Sequence, residues 1–435
     1  VADARGLIIA GPATGQGKTT LTLGLIAALR ARGLNVGALK AGPDFIDPGF
    51  HFAAGAAASF NLDHWGMRPG TRAALVAEAA AGADVVLAEG MMGLFDGAPG
   101  GGGSTADIAA ETEWPVILAI DAGVQAQSIA ALAQGFVRFR ADVRVAGVVL
   151  MKVGGAPHRK LLADALAAAD IRVFGMIGHD ATLALPERHL GLVQAREHKL
   201  HRLVDNARRA VSSGVDLDAL LAAASPARAG RPAPAPPVPP LGKRIAVADD
   251  AAFAFAYEHI LAGWRGAGAE VARFSPLADE APPADCDGVF LPGGYPELHA
   301  QRLANARKFR DGMYAAAVRG AAVYGECGGY MALGDALIDA KGTSHAMLGL
   351  LPVVTSFARP QLHIGYRTLS LLAPTALGPA GALFRGHEFH FSSVSSEAES
   401  ERLFEVTDAS GAQLGPAGLR RGTVFGSYLH LIDAA

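Results

Sequence analysis

The sequence predicts an α/β protein of two domains, and three observations carry that prediction. Short apolar runs at 7–10, 36–39, 84–88, 116–120 and 145–150 alternate with alanine-rich helical stretches at 71–81, 126–139 and 159–169. Such alternation implies crossover units feeding a parallel sheet covered on both faces. The pattern restarts at 244–248, 270–274, 288–291 and 321–324, with helical stretches around 252–266 and 300–319, and turns strand-rich beyond about 350. Between the two patterns lies SPARAGRPAPAPPVPPLG (225–242), whose seven prolines exclude a helix or a central strand. A stretch of this kind favours polyproline II and spans roughly 50 Å at about 3.1 Å per residue. The expected division is a domain at 1–224, a linker at 225–242 and a domain at 243–435.

Composition narrows the partners. The 435 residues are 51% hydrophobic and 18% charged, enough for two sizeable cores. Thirty-eight basic and 41 acidic side chains leave a net charge of −3, with no long run of either sign, so neither nucleic acid nor a membrane is expected as a partner. Two cysteines, Cys286 and Cys327, are too few for a disulfide framework and suit a reducing compartment. No stretch approaches eighteen uninterrupted apolar residues, and the first twenty residues lack the pattern of a signal peptide. A cytoplasmic protein is the expectation.

In the first domain the strand Leu7–Ala10 leads through GPATGQGKTT (11–20) into a helix spanning Thr19–Arg32. This is the setting of a phosphate loop, whose backbone N–H groups and helix N-terminus face an anion. Gly15, Gly17, Lys18, Thr19 and Thr20 are the expected ATP-binding residues: Lys18 for the β/γ-phosphates, the Thr19 hydroxyl for Mg²⁺. The first glycine is Gly11, one residue earlier than the strict spacing requires. Further candidates follow at strand ends, where open α/β sheets bind ligands. Glu89 closes an apolar strand in DVVLAEGMMGLFDG and could hold Mg²⁺ or cap a loop. In KAGPDFIDP (40–48), Lys40 could meet phosphate or a substrate carboxylate. Asp44 and Asp47 are either Mg²⁺ ligands or residues fixing a proline turn. GSTAD (103–107) and Asp121 are weaker candidates.

In the second domain, AAVYGECGGYMALG (321–334) runs a strand through a glycine-flanked cysteine into a helix, the setting of a nucleophile on a tight turn. The helix N-terminus is expected to favour the Cys327 thiolate. Gly293 and Gly294, in GVFLPGGYPE, and Gly328 offer N–H groups to an oxyanion, and His430, in VFGSYLHL, is the expected general base and acid. Cys286 reads as a small buried hydrophobe. His387 and His390, in GHEFHFS, compete as bases; alternate spacing would send both to one strand face, as site lining.

The glycine elbow, late histidine and PGG loop together resemble class I (triad-type) glutamine amidotransferases, giving a C-terminal class I glutaminase α/β domain. The longer phosphate-loop spacing resembles the dethiobiotin synthetase group. KAGPDFIDP, EGMMGLFDG, GSTAD, LPGGYPE, ECGGYMALG, GHEFH and SYLHL, spread over nearly the whole chain, resemble the cobyrinic acid a,c-diamide synthase family. That resemblance implies amidation of the a- and c-acetates of a corrinoid carboxylic acid, using ATP, Mg²⁺ and glutamine, and leaves room for a homodimer. The substrate would be hydrogenobyrinic acid in oxygen-requiring cobalamin synthesis and cobyrinic acid in the anaerobic route; a relative amidates nickel-sirohydrochlorin. Two departures stand out. Where many class I glutaminases carry Glu two residues after the histidine, this chain has Ile432, which leaves Asp433, Glu388 or no acidic residue at all to orient His430. Where relatives often place an adenine-contacting Asn, it has Met151 and Lys152. A phosphate-loop switch or partitioning ATPase would explain residues 11–20 but not the Cys327 elbow.

Overall fold

The computed structural model describes residues 4–185, 200–228 and 235–435. It divides into two compact units: one takes in Val1–Trp65, Arg72–Gly97 and Gly101–Ala233, the other Gly66–Thr71, Ala98–Gly100 and Pro234–Ala435. Among the described residues no helix is long and apolar enough to cross a membrane.

The first unit is built on β1 (Arg5–Ala10), α1 (Lys18–Ala31), β2 (Val36–Ala41), α2 (Asp47–Ala53), β3 (Ala58–Leu62), α3 (Pro69–Ala80), β4 (Val85–Glu89), α4 (Thr105–Thr112), β5 (Val116–Asp121), α5 (Ile129–Phe139), β6 (Val145–Val153), α6 (Ala156–Ala168), β7 (Val173–Gly178), α7 (Leu200–Gly214), α8 (Leu217–Ala223) and the two-residue β8 (Ser225–Pro226). Seven parallel strands run in the order β3-β2-β4-β1-β5-β6-β7. The central β1 is apolar because it is covered on both faces; Leu7, Ile8 and Ile9 are wholly buried. Chain order reverses around β1, and the carboxyl ends of β1, β2 and β4 converge on the glycine loop. The expected parallel sheet is present. Three strands, β3, β7 and the two-residue β8, lie outside the expected runs: ASFNL has no β-branched residue, VFGMIG is interrupted by Gly175, and Ser225–Pro226 falls in the proline-rich stretch.

The second unit contains β9 (Arg244–Ala248), α9 (Glu258–Gly266), β10 (Glu270–Phe274), β11 (Gly288–Leu291), α10 (Ala300–Asn305), α11 (Arg307–Val318), β12 (Ala322–Glu326), α12 (Gly328–Leu333), β13 (Ala336–Ile338), β14 (Ser344–Ala346), β15 (Val353–Ser356), β16 (His363–Leu371), β17 (Leu383–His390), β18 (Ser393–Glu397), β19 (Glu401–Asp408), β20 (Gln413–Arg421), β21 (Val424–Ser427) and β22 (Leu429–Ala434). Ten strands form one sheet in the order β10-β9-β11-β12-β21-β20-β19-β16-β17-β22, parallel from β10 to β21 and antiparallel beyond. A smaller sheet, β14-β13-β15-β18, stands beside it. The large sheet curls: β22 ends the strand order, yet its Leu431 N–H reaches Glu326 at the end of β12. That curl brings the last strand to the end of β12, beside Cys327.

Two expected helices differ. The stretch 252–266 is helical only from Glu258, because Phe255 N–H bonds the Gly293 carbonyl and Asp250 accepts from the Ala252 amide, holding 251–257 as a loop beneath the glycine pair. The stretch 300–319 is broken at Ala306, whose backbone leaves the helical region. The proline-rich segment is also less free than a polyproline spacer. Ser225 and Pro226 pair with the start of β1, and Pro237 accepts from Ala434 N–H. Val238 is buried and accepts from the Trp264 indole at 3.0 Å; residues 229–234 lie outside the described residues. Trp264 is itself fully buried against Phe290. Trp264→Ala is expected to destabilise the second unit by about 3–5 kcal/mol, read as an earlier denaturant midpoint; an unchanged midpoint would contradict this packing.

Candidate active site

Chemistry-bearing residues gather at two places, one in each unit. In the first, Gly15 and Gly17 adopt φ of 82° and 87°, the left-handed conformation that lets successive amides turn inward. Gln16 ties the loop to the sheet by accepting from the Asp121 amide at 2.9 Å. Lys18 opens α1 and donates to the carbonyls of Ala13 (2.8 Å) and Met92 (2.6 Å), which draws its ammonium across the loop. Burial first, then the neighbouring Lys40, lower its pKa to about 8 against the pull of Glu89, Asp47 and Asp96. The Thr20 hydroxyl is turned to the Leu183 carbonyl at 3.2 Å.

Glu89 is the hub of this place. It is wholly buried at the end of β4, in register with Lys40 of β2. One oxygen accepts from the Thr19 hydroxyl and from Lys40 Nζ at 3.1 Å; the other faces His51 Nε2 at 3.0 Å. Burial, the largest influence, opposes ionisation, but Lys40, His51 and Thr19 together outweigh it and hold Glu89 well below the usual carboxylate range. Lys40 is also paired with Asp47 and stands 4.0 Å from Asp44. Burial pulls the Lys40 ammonium down, yet Asp47, Glu89 and Asp44 more than reverse this and push it up. Asp47 itself is raised, by burial foremost and then by Asp44 and Glu89, against Lys40.

Asp44 also serves the turn left open above, accepting from the amides of Ile46 and Asp47 at the start of α2. His51 was missed by sequence reasoning. Its signal was Asp47-Pro48, which opens a helix and sets His51 four residues on, on the same face. The GSTAD segment proves structural: Ser104 and Asp107 form the capping box of α4, and Asp107 pairs with Arg140. Asp121 pairs with Lys152 and accepts from the Gly123 amide. Thr19, Glu89, Asp47 and Asp44 are the hard oxygen donors that Mg²⁺ prefers. Three carboxylates against Lys40 leave the cluster short of positive charge, so the donor set fits a divalent cation.

In the second unit Cys327 stands between β12 and α12 with φ 47°, ψ −105°, a conformation unusual for a side-chain-bearing residue. Its amide bonds the Ser427 carbonyl at 2.8 Å, and its carbonyl accepts from Met331 N–H at 3.0 Å. A Cβ on Gly329 would lie 1.8 Å from the Leu291 carbonyl oxygen, so only glycine lets α12 approach β11 closely enough to make this turn. A Cβ on Gly293 would meet His430 Cε1 at 2.4 Å, His430 Nε2 at 3.3 Å and Cys327 Cβ at 3.4 Å. The His430 imidazole and Cys327 Cβ therefore both lie against Gly293, and the sulfur itself stands 3.7 Å from the Phe389 carbonyl oxygen. A Cβ on Gly328 would stand 2.9 Å from the Gly294 nitrogen, which brings those two amides together beside the sulfur.

The expected thiolate is corrected by the structure. Burial first, then the Glu297 carboxylate, push the Cys327 thiol well up; the Gly328 N–H works the other way, while Glu326 and Glu388 add to the rise. A six-residue helix cannot offset this. Glu297, in the YPE segment, is pushed by burial up to about 8, so at neutral pH it is mostly the neutral acid. The expectation for His387 and His390 also fails, because three residues along a strand reverse the face. His390 pairs with Glu388 at 3.0 Å on one side of β17, whereas His387 faces its cross-strand partner His430 on the other. Burial foremost, then the charges of His430 and Arg367, lower His387 to about 3.

Neither expected orienter serves His430. Asp433 is bound by Arg68 through Nε (3.0 Å), Nη2 (2.6 Å) and the backbone amide. Glu388 is taken by Arg367 and His390. His363, Glu388 and His390 bring ligand atoms within 4.8 Å of one another, but Arg367 already neutralises the carboxylate there, which leaves little to attract a cation. Cys286 is buried, with its thiol pushed up by burial, as a structural cysteine should be.

A phosphate-type loop on a parallel sheet, followed by a cysteine–histidine elbow, defines a nucleotide-binding domain joined to a glutamine amidotransferase domain. Family comparison agrees: residues 7–193 match the CobQ/CobB/MinD/ParA nucleotide binding domain, and residues 244–435 the CobB/CobQ-like glutamine amidotransferase domain. The hydrogenobyrinate a,c-diamide synthase of Rhizobium meliloti (strain 1021) is 54% identical, covering 98% of this chain and 99% of its own length. Those of Brucella suis biovar 1 (strain 1330) and Mesorhizobium japonicum are 53% and 48% identical, each over 99% of this chain and 98% or 99% of their own. A solved glutamine amidotransferase aligns at 18% identity over 43% of this chain and 90% of its own, with a TM-score of 0.30, too low to carry any argument. The chain belongs to the hydrogenobyrinate a,c-diamide synthase family.

One consequence concerns Lys18. Anionic phosphates would raise its pKa from about 8, so the complex would hold more protons than the free protein. ATP binding at pH 8 should take up about half a proton per site, and affinity should fall as pH rises through 8. Calorimetry in buffers of different ionisation enthalpy reads this, and no net uptake would contradict it.

Proposed function

We propose that the chain amidates the a- and c-acetate carboxylates of hydrogenobyrinate in cobalamin biosynthesis, using ATP, Mg²⁺ and glutamine. The observation that supports it most is full-length likeness, at 54% identity, to a relative of that name. Cobyrinate and nickel-sirohydrochlorin are not favoured, since the relatives at 48–54% identity bear the hydrogenobyrinate name.

A carboxylate reacts with ammonia only when its oxygen is made a leaving group. The amides of Gly15 and Gly17 and the start of α1 receive the phosphates of ATP, and Lys18 neutralises charge on the γ-phosphoryl as it passes to the carboxylate. Mg²⁺, when bound by Thr19, Asp47, Glu89 and Asp44, supplies further charge neutralisation. His51 and Lys40 hold Glu89 ionised and fixed. Ammonia displaces phosphate from the resulting acyl phosphate.

In the glutaminase domain Cys327 attacks the amide carbon of glutamine, and because the thiol rests protonated its proton passes to His430 as the S–C bond forms. The amides of Gly328, Gly294 and Gly293 receive the oxyanion. His430 returns the proton to the departing nitrogen, which leaves as ammonia. Water, deprotonated by His430, then attacks the thioester carbon; the S–C bond breaks, glutamate leaves, and His430 returns the proton to the Cys327 sulfur.

The two halves are separable. Cys327→Ser should reduce glutamine-driven synthesis by about a thousandfold or more, as loss of a covalent nucleophile does, and leave synthesis with ammonium salt near normal. Failure of ammonium to rescue it would overturn the division of labour. Lys18→Ala should abolish diamide formation from either nitrogen source while glutamine hydrolysis persists; retained synthesis would remove Lys18 from the site.

A further inference from the structure

We infer that Glu326, the residue immediately before the nucleophile, is the positioning carboxylate of His430 and completes the triad from the last position of the strand that leads into the nucleophile. The inference deepens the glutaminase reading above and rests on it. Glu326 is the last residue of β12 and is 2% exposed. Its Oε1 accepts from Leu431 N–H at 3.0 Å and from the Tyr324 hydroxyl at 2.9 Å. Its Oε2 lies 3.6 Å from His430 Nδ1. The first two bonds fix the carboxylate: one comes from the residue after His430, the other from two positions back on the same face of β12. Histidine and carboxylate are thus tied to each other through one amide.

The distance of 3.6 Å is an ion-pair distance, longer than a hydrogen bond. Contacts of this kind in ligand-free sites commonly tighten when substrate arrives. The chemical need is specific. When the Cys327 proton moves to Nε2, the imidazole becomes a cation in a buried site, and an uncompensated charge there is costly. Glu326 supplies the counter-charge on the Nδ1 side and selects the tautomer that leaves the Nε2 lone pair for the thiol. The other candidates are committed: Asp433 to Arg68, Glu388 to Arg367 and His390. The residue two beyond the histidine, Ile432, is apolar and lends only its carbonyl, to His259. From β17, His387 faces His430 as a neutral ring and adds no charge at neutral pH.

Glu326→Gln is the discriminating variant, because the amide oxygen can keep both anchoring bonds. Its NH₂ would then donate to Nδ1, forcing the proton onto Nε2 and leaving the thiol without a base. Glutamine-driven kcat should fall by about a hundredfold or more, by analogy with carboxylate-to-amide changes in other triads. KM for glutamine should stay within about twofold, since binding is untouched, and ammonium-driven synthesis should be unchanged. A wild-type glutamine-driven kcat would overturn the inference, as would a loss confined to KM. If ammonium-driven synthesis is lost as well, Tyr324→Phe reads the same link, since it loosens the carboxylate and keeps its charge. A several-fold drop in glutamine-driven kcat at unchanged KM is expected there, and no drop would overturn the inference. Cys327→Ser, run alongside, separates the two levels. If it keeps glutamine-driven activity, the glutaminase reading fails; if it is dead while Glu326→Gln is normal, only the role of Glu326 fails.

Discussion

The backbone turn at Cys327 is the constraint on which the second unit depends. A side-chain-bearing residue at φ 47° costs on the order of 1–3 kcal/mol and persists only where its surroundings over-determine it. Here they do: Ser427 and Met331 hold the peptide groups on either side, and Leu291 presses its carbonyl into the space a side chain at 329 would need. The adjacent segments follow from the turn. Strand β11 must approach α12 closely, the loop at 251–257 must forgo helix to support Gly293 and Gly294, and β22 must curl round to deliver His430.

The two sites handle buried charge in opposite ways. In the first, three carboxylates crowd around Lys40 in a poorly screened place: burial is outweighed at Glu89 by Lys40, His51 and Thr19, which hold it low, while burial, Asp44 and Glu89 push Asp47 up. Removing one partner of such a set leaves an uncompensated charge, which makes the cluster geometrically unforgiving and suits it to align phosphates and a divalent cation. In the second, burial foremost, with the nearby Glu297, Glu326 and Glu388, pushes the Cys327 thiol up and disfavours a standing thiolate. A resting thiol is also less open to adventitious oxidation than a thiolate.

The parts legible in sequence were those whose meaning is local. A glycine loop between strand and helix, a cysteine among glycines and a proline-rich joint each announce themselves because backbone geometry restricts the residue types allowed. The parallel sheet was legible because buried strands are continuous apolar runs; β3 and β7 are less so and escaped. Roles set by distant partners were hidden. His51 matters because β4 ends beside it, and Glu326 because a strand a hundred residues on folds back to it. Of the two acids expected to orient His430, Asp433 is engaged by Arg68, far away in the chain, and Glu388 by His390 and by Arg367 of the neighbouring strand. His387 and His390 were misplaced by a simpler slip, since a separation of three reverses the face in a strand.

The central claim is that the sulfur of Cys327 takes an acyl group from glutamine. Rapid acid quenching of the full chain during glutamine turnover, followed by peptide mass spectrometry, tests it most directly. A γ-glutamyl thioester should appear on the peptide carrying Cys327, and it should vanish in Cys327→Ser while Cys286 stays unmodified. Continued glutamine hydrolysis with the acyl group on another residue, or undiminished hydrolysis by Cys327→Ser, would contradict the claim.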